Sequence, residues 1–256
     1  MRDFYDYRLK FSKNGPIRFV GHLDVMRYMQ KANRRAGLPV RYSEGFSPHQ
    51  IMSFALPLSV GATSDGEYLD MSFVSEMDTG EIVERLNFAM NEGICALECR
   101  LLPEHAPKSM TLIAAAGYRL RYTAITDGGS LSVNSSADGK NDMPQSFSSL
   151  PEYTAGLGSF LTSDTIPAVK KTKTGEREID LKPLIHGYDI RENGDLDIIL
   201  HAGSRDHVKP ALLFERFFDS CGKEFVPMAL KVHRTEMYTE KDGVMIPLIE
   251  LYDHAG

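Results

Sequence analysis

Between Tyr5 and Leu102 the spacing of apolar residues switches from two to three-and-four and back, and the order of those switches admits few folds. Residues 5–12, YDYRLKFS, alternate as a half-buried strand. After the break at Asn14-Gly15-Pro16, Leu23, Met26, Met29 and Ala32/Ala36 recur at helical intervals, and Gly37 and Pro39 end the helix. Strand-like runs at Ile51–Leu58 and Glu67–Val74 flank a Gly-rich turn, Val60–Gly66. A second helix is expected from Thr79, as N-cap, to Asn91, and Ile94–Leu102 closes the unit as a strand. The order is βαββαβ, the split βαβ or ferredoxin-like plan.

The second half repeats that order. Gly117–Ile125 reads as a strand and Ser149–Leu161 as a helix, while Val169–Leu181 and Tyr188–His201 read as hairpins, the latter turning at Asn193-Gly194. Lys209–Ser220 is helical by its apolar stripe, and Met228–Tyr238 is the closing strand. Residues 126–149, rich in Ser, Gly, Asp and Asn, read as a mobile loop. The expected fold class is α+β, as two tandem ferredoxin-like units spanning residues 1–108 and 109–256, with the break near residues 105–111.

With 42 % apolar and 25 % charged residues, the 256-residue chain has the balance of a globular protein rather than a disordered one. No run approaches the ~20 apolar residues that a membrane-spanning helix needs. The opening MRDFYDYRLKF has no apolar stretch of the signal-peptide kind, so the expectation is a cytoplasmic chain without membrane contact. Three cysteines do not suggest a disulfide framework. Cys95 and Cys99, four apart on an expected strand, read as sharing one face. Two further ligands at suitable spacing are missing, so no metal site is expected and the thiols read as structural.

The formal net charge of −6 hides an asymmetry. Residues 1–50 hold ten Lys/Arg against four Asp/Glu, whereas residues 51–110 hold three against ten. A local positive surplus is how an acidic protein can hold a phosphate-rich ligand; the competing reading is a solvated helix face that neutralises its own domain. Arg18 precedes the first helix, and Arg27, Lys31 and Arg34/Arg35 follow at spacings that share a face. Guanidinium groups pair two oxygens of one phosphate, which suits an RNA backbone.

Gly21-His22-Leu23-Asp24 opens the helix, where the dipole favours anions, and Asp24 can equally serve the helix's own N-terminus. The run Tyr42-Ser43-Glu44-Gly45-Phe46-Ser47-Pro48-His49 sets two aromatics, hydroxyls and an imidazole in one expected loop. Tyr42 and Phe46 can stack on a base or seal the edge of the core, and Phe46 is assigned to the core. His22 and His49 suit acid/base work near neutral pH; hydrogen-bonded structural histidines are the alternative. Lys170, Lys171 and Lys173, ahead of Arg177, form a basic strand that can line a nucleic-acid groove or guard a sheet edge. The chain has no P-loop, Rossmann fingerprint, G-x-S-x-G or H-E-x-x-H.

From Lys13 to Asp70 the sequence resembles the radical-SAM-linked family, a domain of unknown function. The matching blocks are Arg18–Asp24, Arg34–Pro39, Tyr42–His49 and Pro57–Asp70, with later matches at Lys171–Ile185 and Gly203–Glu215. Gly21, Gln50 and Lys209 depart from the family pattern, which has serine, proline and arginine there. The resemblance implies a partner: a radical-SAM enzyme carrying an iron–sulfur cluster, S-adenosylmethionine and cobalamin. This chain lacks the Cys-x3-Cys-x2-Cys spacing, so it is expected to hold no cofactor itself.

The expected function is an accessory RNA-binding module, for tRNA or rRNA, working with that enzyme in RNA modification. Its contacts would be Arg18, Arg27, Lys31, Arg34, Arg35, Tyr42, Ser43, Phe46, Lys171 and Lys173. Two alternatives stand beside it. One is an RNA-acting enzyme, endoribonuclease-like or pseudouridine-synthase-like, with His22, Asp24 and His49 as its catalytic groups. The other is a protein–protein adaptor for the radical-SAM enzyme.

Overall fold

The structure, a computed structural model, describes residues 3–125, 147–172, 175–203 and 206–252. Within them the chain is mixed α/β, with five α-helices and mostly antiparallel strand pairing. It divides into two compact units: the described residues of Met1–Gly117, Ala202–Arg205 and His233–Gly256, and those of Tyr118–His201 and Asp206–Val232. The division expected between residues 108 and 109 differs from this. Residues from His233 onward belong to the first unit because their strand pairs there.

In the first unit the order is β1 (Tyr5–Lys13), α1 (His22–Arg35), β2 (Met52–Phe54), β3 (Thr63–Phe73), α2 (Thr79–Ala89), β4 (Ile94–Leu101) and the short α3 (Ser109–Leu112). Strand β1 pairs antiparallel with both β3 and β4, and β2 pairs antiparallel with β3 at Leu69–Met71. The core is Tyr7, Leu9 and Phe11 of β1 with Leu69, Met71 and Phe73 of β3, covered by Val25, Met29 and Ala32 of α1 and Ile82 and Leu86 of α2.

Several expectations shift here. The α1 stripe expected through Leu23 and Met26 is rotated: Val25, Met29 and Ala32 keep the same three-and-four spacing but point inward, leaving Leu23 61 % exposed. Asp78, not Thr79, caps α2, its carboxylate accepting from the Glu81 N–H at 2.9 Å. The strand expected over Ile51–Leu58 shrinks to three residues, since the Leu56 and Pro57 carbonyls accept from the Arg234 guanidinium instead of a ladder partner.

Strand β4 contains a bulge. Lys10 faces Glu98 and the next residue, Phe11, faces Ala96, so Leu97 has no partner on β1. The extra residue inverts the alternation, turning Cys95 outward and Cys99 into the core. The two thiols therefore do not share a face.

The second unit contains Tyr118–Tyr122 of β5 (Ala115–Tyr122), α4 (Leu150–Thr162), the ribbon β6 (Pro167–Thr172) and β7 (Gly175–Asp180), β8 (Ile185–Ile190), β9 (Leu196–His201) and α5 (Pro210–Ser220). Strand β9 lies between β5 and β8, and β6–β7 form a sheet of their own. Residues 126–146 of the expected mobile loop lie outside the described residues. Beyond them, Phe147 is buried against Tyr153, Phe217 and Phe218, and Ser149 caps α4 by accepting from Glu152 N–H. At the turn between β8 and β9, Gly194 has φ +80°, and a Cβ there would sit 2.5 Å from Leu150.

The last strands are β10 (Leu230–Lys241) and β11 (Val244–Pro247), the latter not expected from the sequence. Within the first unit, β10 runs parallel to β3 at His233–Thr63 and Arg234–Ser64. Their approach requires glycine at position 66, where a Cβ would come within 2.5 Å of the Glu236 Cα.

Candidate nucleic-acid interface

The outer face of α1 is built from the loop before it. Lys13, at the end of β1, is buried and donates to the carbonyls of Arg18 (3.2 Å) and Val20 (2.9 Å), which fixes the 3₁₀ turn Gly15–Phe19. Gly21 follows as an N-cap without a side-chain cap, its carbonyl accepting from Asp24 and Val25. Arg18 and Phe19 are both exposed, the guanidinium lying 4.7 Å from the Phe19 ring centroid.

At about 100° per residue, Leu23, Arg34, Arg27 and Lys31 fall within one quarter of the helix circumference, and all four are exposed. Arg27 pairs with Asp24 at 3.1 Å, so Asp24 answers a neighbouring charge in the first turn. Lys31 and Arg34 have no ion-pair partner among the described residues. Arg35 differs from Arg34: its Nε and Nη2 donate to the Ala89 carbonyl at 3.1 and 2.8 Å, and its guanidinium lies over Tyr28. It caps the C-terminal end of α2, where a cation is favoured.

The loop Tyr42–His49 closes on itself. Ser43 N–H donates to the His49 carbonyl (2.8 Å), His49 N–H donates to Ser43 Oγ (3.1 Å), and Ser43 Oγ lies 2.9 Å from His49 Nδ1. Gln50 then ties the loop to the helix. Its amide donates to the Gln30 carbonyl (2.9 Å) and the Tyr42 hydroxyl (3.3 Å), and its oxygen accepts from Asn33 (3.0 Å). Gln50 and Asn33 are both buried, and sequence reasoning gives neither a role at the site. The only sequence hint is Gln50 standing where the family pattern has proline. Because the carbonyl of residue i faces the N–H of residue i+4, the Gln30 contact sets Tyr42 beside the turn that carries Arg34.

Phe46 corrects an expectation. Assigned to the edge of the core, it is instead fully exposed, held away from the core by a closed loop with Gly45 at φ +107°. Tyr42 is 45 % exposed.

His22 and His49 occupy different surroundings. His22, half-buried, lines a shallow cleft with Phe11, Lys13, Val25, Phe54, Leu58 and Glu67, and its ring meets Phe54 edge-on at 5.1 Å. Burial pushes its imidazole below the ordinary histidine value. His49 belongs to the loop anchored at Gln30 and Asn33, two to three turns further along α1, about 12–16 Å of helix rise away. The structure does not bring them together.

The floor of the His22 cleft holds a charge group that sequence reasoning missed. Glu67 accepts from Arg234 at 2.9 Å, near Lys13, and all three are buried. Burial pushes the Glu67 carboxyl up, against the pull of Arg234, and pulls the Lys13 ammonium down. Arg234 lies far from Lys13 in sequence, and only the parallel pairing of β10 with β3 reveals the group.

On the ribbon of the second unit, Lys170 faces Arg177, and Arg177 pairs with Asp206. The backbone of Lys171 lies opposite Glu176, and Lys173 lies outside the described residues. Among the described residues, no group of three or more His, Cys, Asp or Glu is placed to hold a metal ion, and no helix is long and apolar enough to cross a membrane.

The model of a family described as uncharacterized proteins conserved in bacteria (DUF2344) matches residues 6–210, and the chain belongs to that family. No curated protein matches it.

Proposed function

We propose that this family member is an accessory RNA-binding module that lays the phosphate backbone of a tRNA or rRNA along the outer face of α1 and works with a radical-SAM enzyme in RNA modification. One observation carries the RNA reading: in a chain of net charge −6, Lys31 and Arg34 stand exposed on one face with no ion-pair partner among the described residues. Unanswered cations on a rigid helix are what phosphate contacts use, and Arg18 and Arg27 extend the row. The partner enzyme, with its iron–sulfur cluster, S-adenosylmethionine and cobalamin, rests on the sequence resemblance alone. The same reading takes both units as ferredoxin-like. In the first, this is supported by β1 between β3 and β4, with β2 on the far side of β3.

The test titrates total tRNA against the chain over a range of salt. The logarithm of the association constant should fall linearly with log salt, and Lys31→Ala with Arg34→Ala should flatten that slope by about 0.7 per lost single-strand contact. Binding that ignores both salt and these substitutions would refute the RNA reading. The partner reading predicts co-purification with an iron–sulfur, S-adenosylmethionine-cleaving enzyme, and recovery of the chain without it refutes that part.

The adaptor reading has its own observation: Phe19, Leu23 and Val60 are exposed, and the Gly61 N–H donates to the Arg18 carbonyl, bringing Val60 beside Arg18 and Phe19. An apolar patch rimmed by arginine fits a protein partner. The endoribonuclease reading gains no such support, because its two histidines lie apart.

A further inference from the structure

We propose that the loop Tyr42–His49 makes this surface selective for unpaired RNA, with Phe46 and Tyr42 as stacking platforms for bases whose phosphates lie on Arg34 and Lys31. This rests on the RNA reading above and adds the class of RNA. A fully exposed phenylalanine on a loop is costly to leave in water, and here the loop is braced to present it. Three contacts between Ser43 and His49 close the loop, and Gln50 anchors its base to Gln30 and Asn33 of α1. Such bracing lowers the ordering cost that a flexible aromatic would incur on binding.

The charge beside the loop identifies the occupant. Tyr42 reaches α1 through Gln50 at the turn carrying Arg34, so aromatic faces and unanswered cations adjoin on one surface. A protein partner would need acidic groups at phosphate-like spacing, whereas single-stranded RNA brings a phosphate with every base. In duplex RNA the base faces are covered by their neighbours, and the deep major groove does not admit side chains. Phe46 would therefore have nothing to stack on in a helix. Stacking needs no particular base, so the loop reads unpairedness rather than sequence.

The chain has no tryptophan, so Phe46→Trp makes the loop its own single reporter. The measurement compares an unstructured 12-nucleotide RNA with a 12-base-pair RNA duplex, by anisotropy and by the indole emission of that variant. The single strand should bind more tightly and quench the indole, and the duplex should leave the emission unchanged. Phe46→Ala should weaken single-strand binding by at least about fivefold, the low end of one stacked base, with the salt slope preserved. Equal affinity for both RNAs, or Phe46→Ala without effect, overturns the inference while the salt slope of the Lys31 and Arg34 variants still upholds the RNA reading. If neither RNA binds, both fall.

Discussion

Arg8 on β1 is 1 % exposed, and its Nε lies 2.8 Å from Asp70 Oδ1 on β3. The pair also serves as a junction. The Arg8 guanidinium donates to the carbonyls of Leu248 and Pro107, while Asp70 Oδ2 accepts from Ser109 N–H at 2.6 Å. One buried ion pair thus satisfies the backbone of the segment after β4 and of the chain end after β11. Removing a single partner strands a buried charge, so Asp70→Ala should cost about 3–5 kcal/mol. The double variant Arg8→Met/Asp70→Leu should recover part of that loss. Urea unfolding of the three proteins measures the difference, and an Asp70→Ala midpoint equal to that of the parent would contradict the geometry.

Arg34 and Arg35 are neighbours in sequence with opposite duties. Arg35→Ala loses two bonds to the Ala89 carbonyl and should destabilise by about 1 kcal/mol, a charged hydrogen bond discounted for exposure. Arg34→Ala should stay within about 0.5 kcal/mol while reducing the salt dependence of RNA binding. Thermal melts and tRNA titrations on the two single variants separate the roles. A double variant would confuse them.

The order of elements in the first hundred residues was legible because strand and helix periods differ so plainly there. The inward face of α1 was not, because Leu23–Met26–Met29 and Val25–Met29–Ala32 fit the helical period equally well and only contact with the sheet chooses between them. Periodicity also cannot see an inserted residue, so the β4 bulge, and with it the fate of both thiols, stayed hidden. The cationic row on α1 was readable from spacing alone. Its anchor was not: the Asn33–Gln50 contact is a buried amide pair, and no rule of sequence announces one. The group of Lys13, Glu67 and Arg234 depends on a strand from the far end of the chain.

His22 gives the first unit a pH dependence whose sign follows from its environment. Burial lowers its folded-state pKa below the unfolded value of about 6.5. Between those two values the unfolded chain holds more protons, so stability rises with pH there and is lost as pH falls from about 6.5 through the folded pKa. Glu67 works the other way, since a carboxyl raised by burial favours the folded state at lower pH. His22→Phe keeps the aromatic contact with Phe54 and removes the titration. Between pH 7 and 5 the variant should therefore lose less stability than the parent, as read by urea midpoints. A larger loss in the variant would mean that the imidazole is charged in the folded protein.

The bulge at Leu97 makes a chemical prediction for the two thiols it separates. Cys99 lies in the core, where burial pushes its thiol up to about 12, so almost none is thiolate at pH 8. Cys95 is exposed, its Sγ 3.4 Å from the Asn87 side-chain oxygen. Since the thiolate is the nucleophile, a disulfide reagent added to the native protein should label Cys95 quickly and leave Cys99 until the chain unfolds. Peptide mass spectrometry after timed quenching measures both sites in one sample, with urea as the positive control for Cys99. Deleting Leu97 removes the unpaired residue and leaves Cys95 and Cys99 three positions apart on a strictly alternating strand, still on opposite faces, so Cys95 should keep its fast labelling and Cys99 its protection. Equal rates at the two cysteines in the native chain would mean that β4 runs without a bulge and that both thiols share one face.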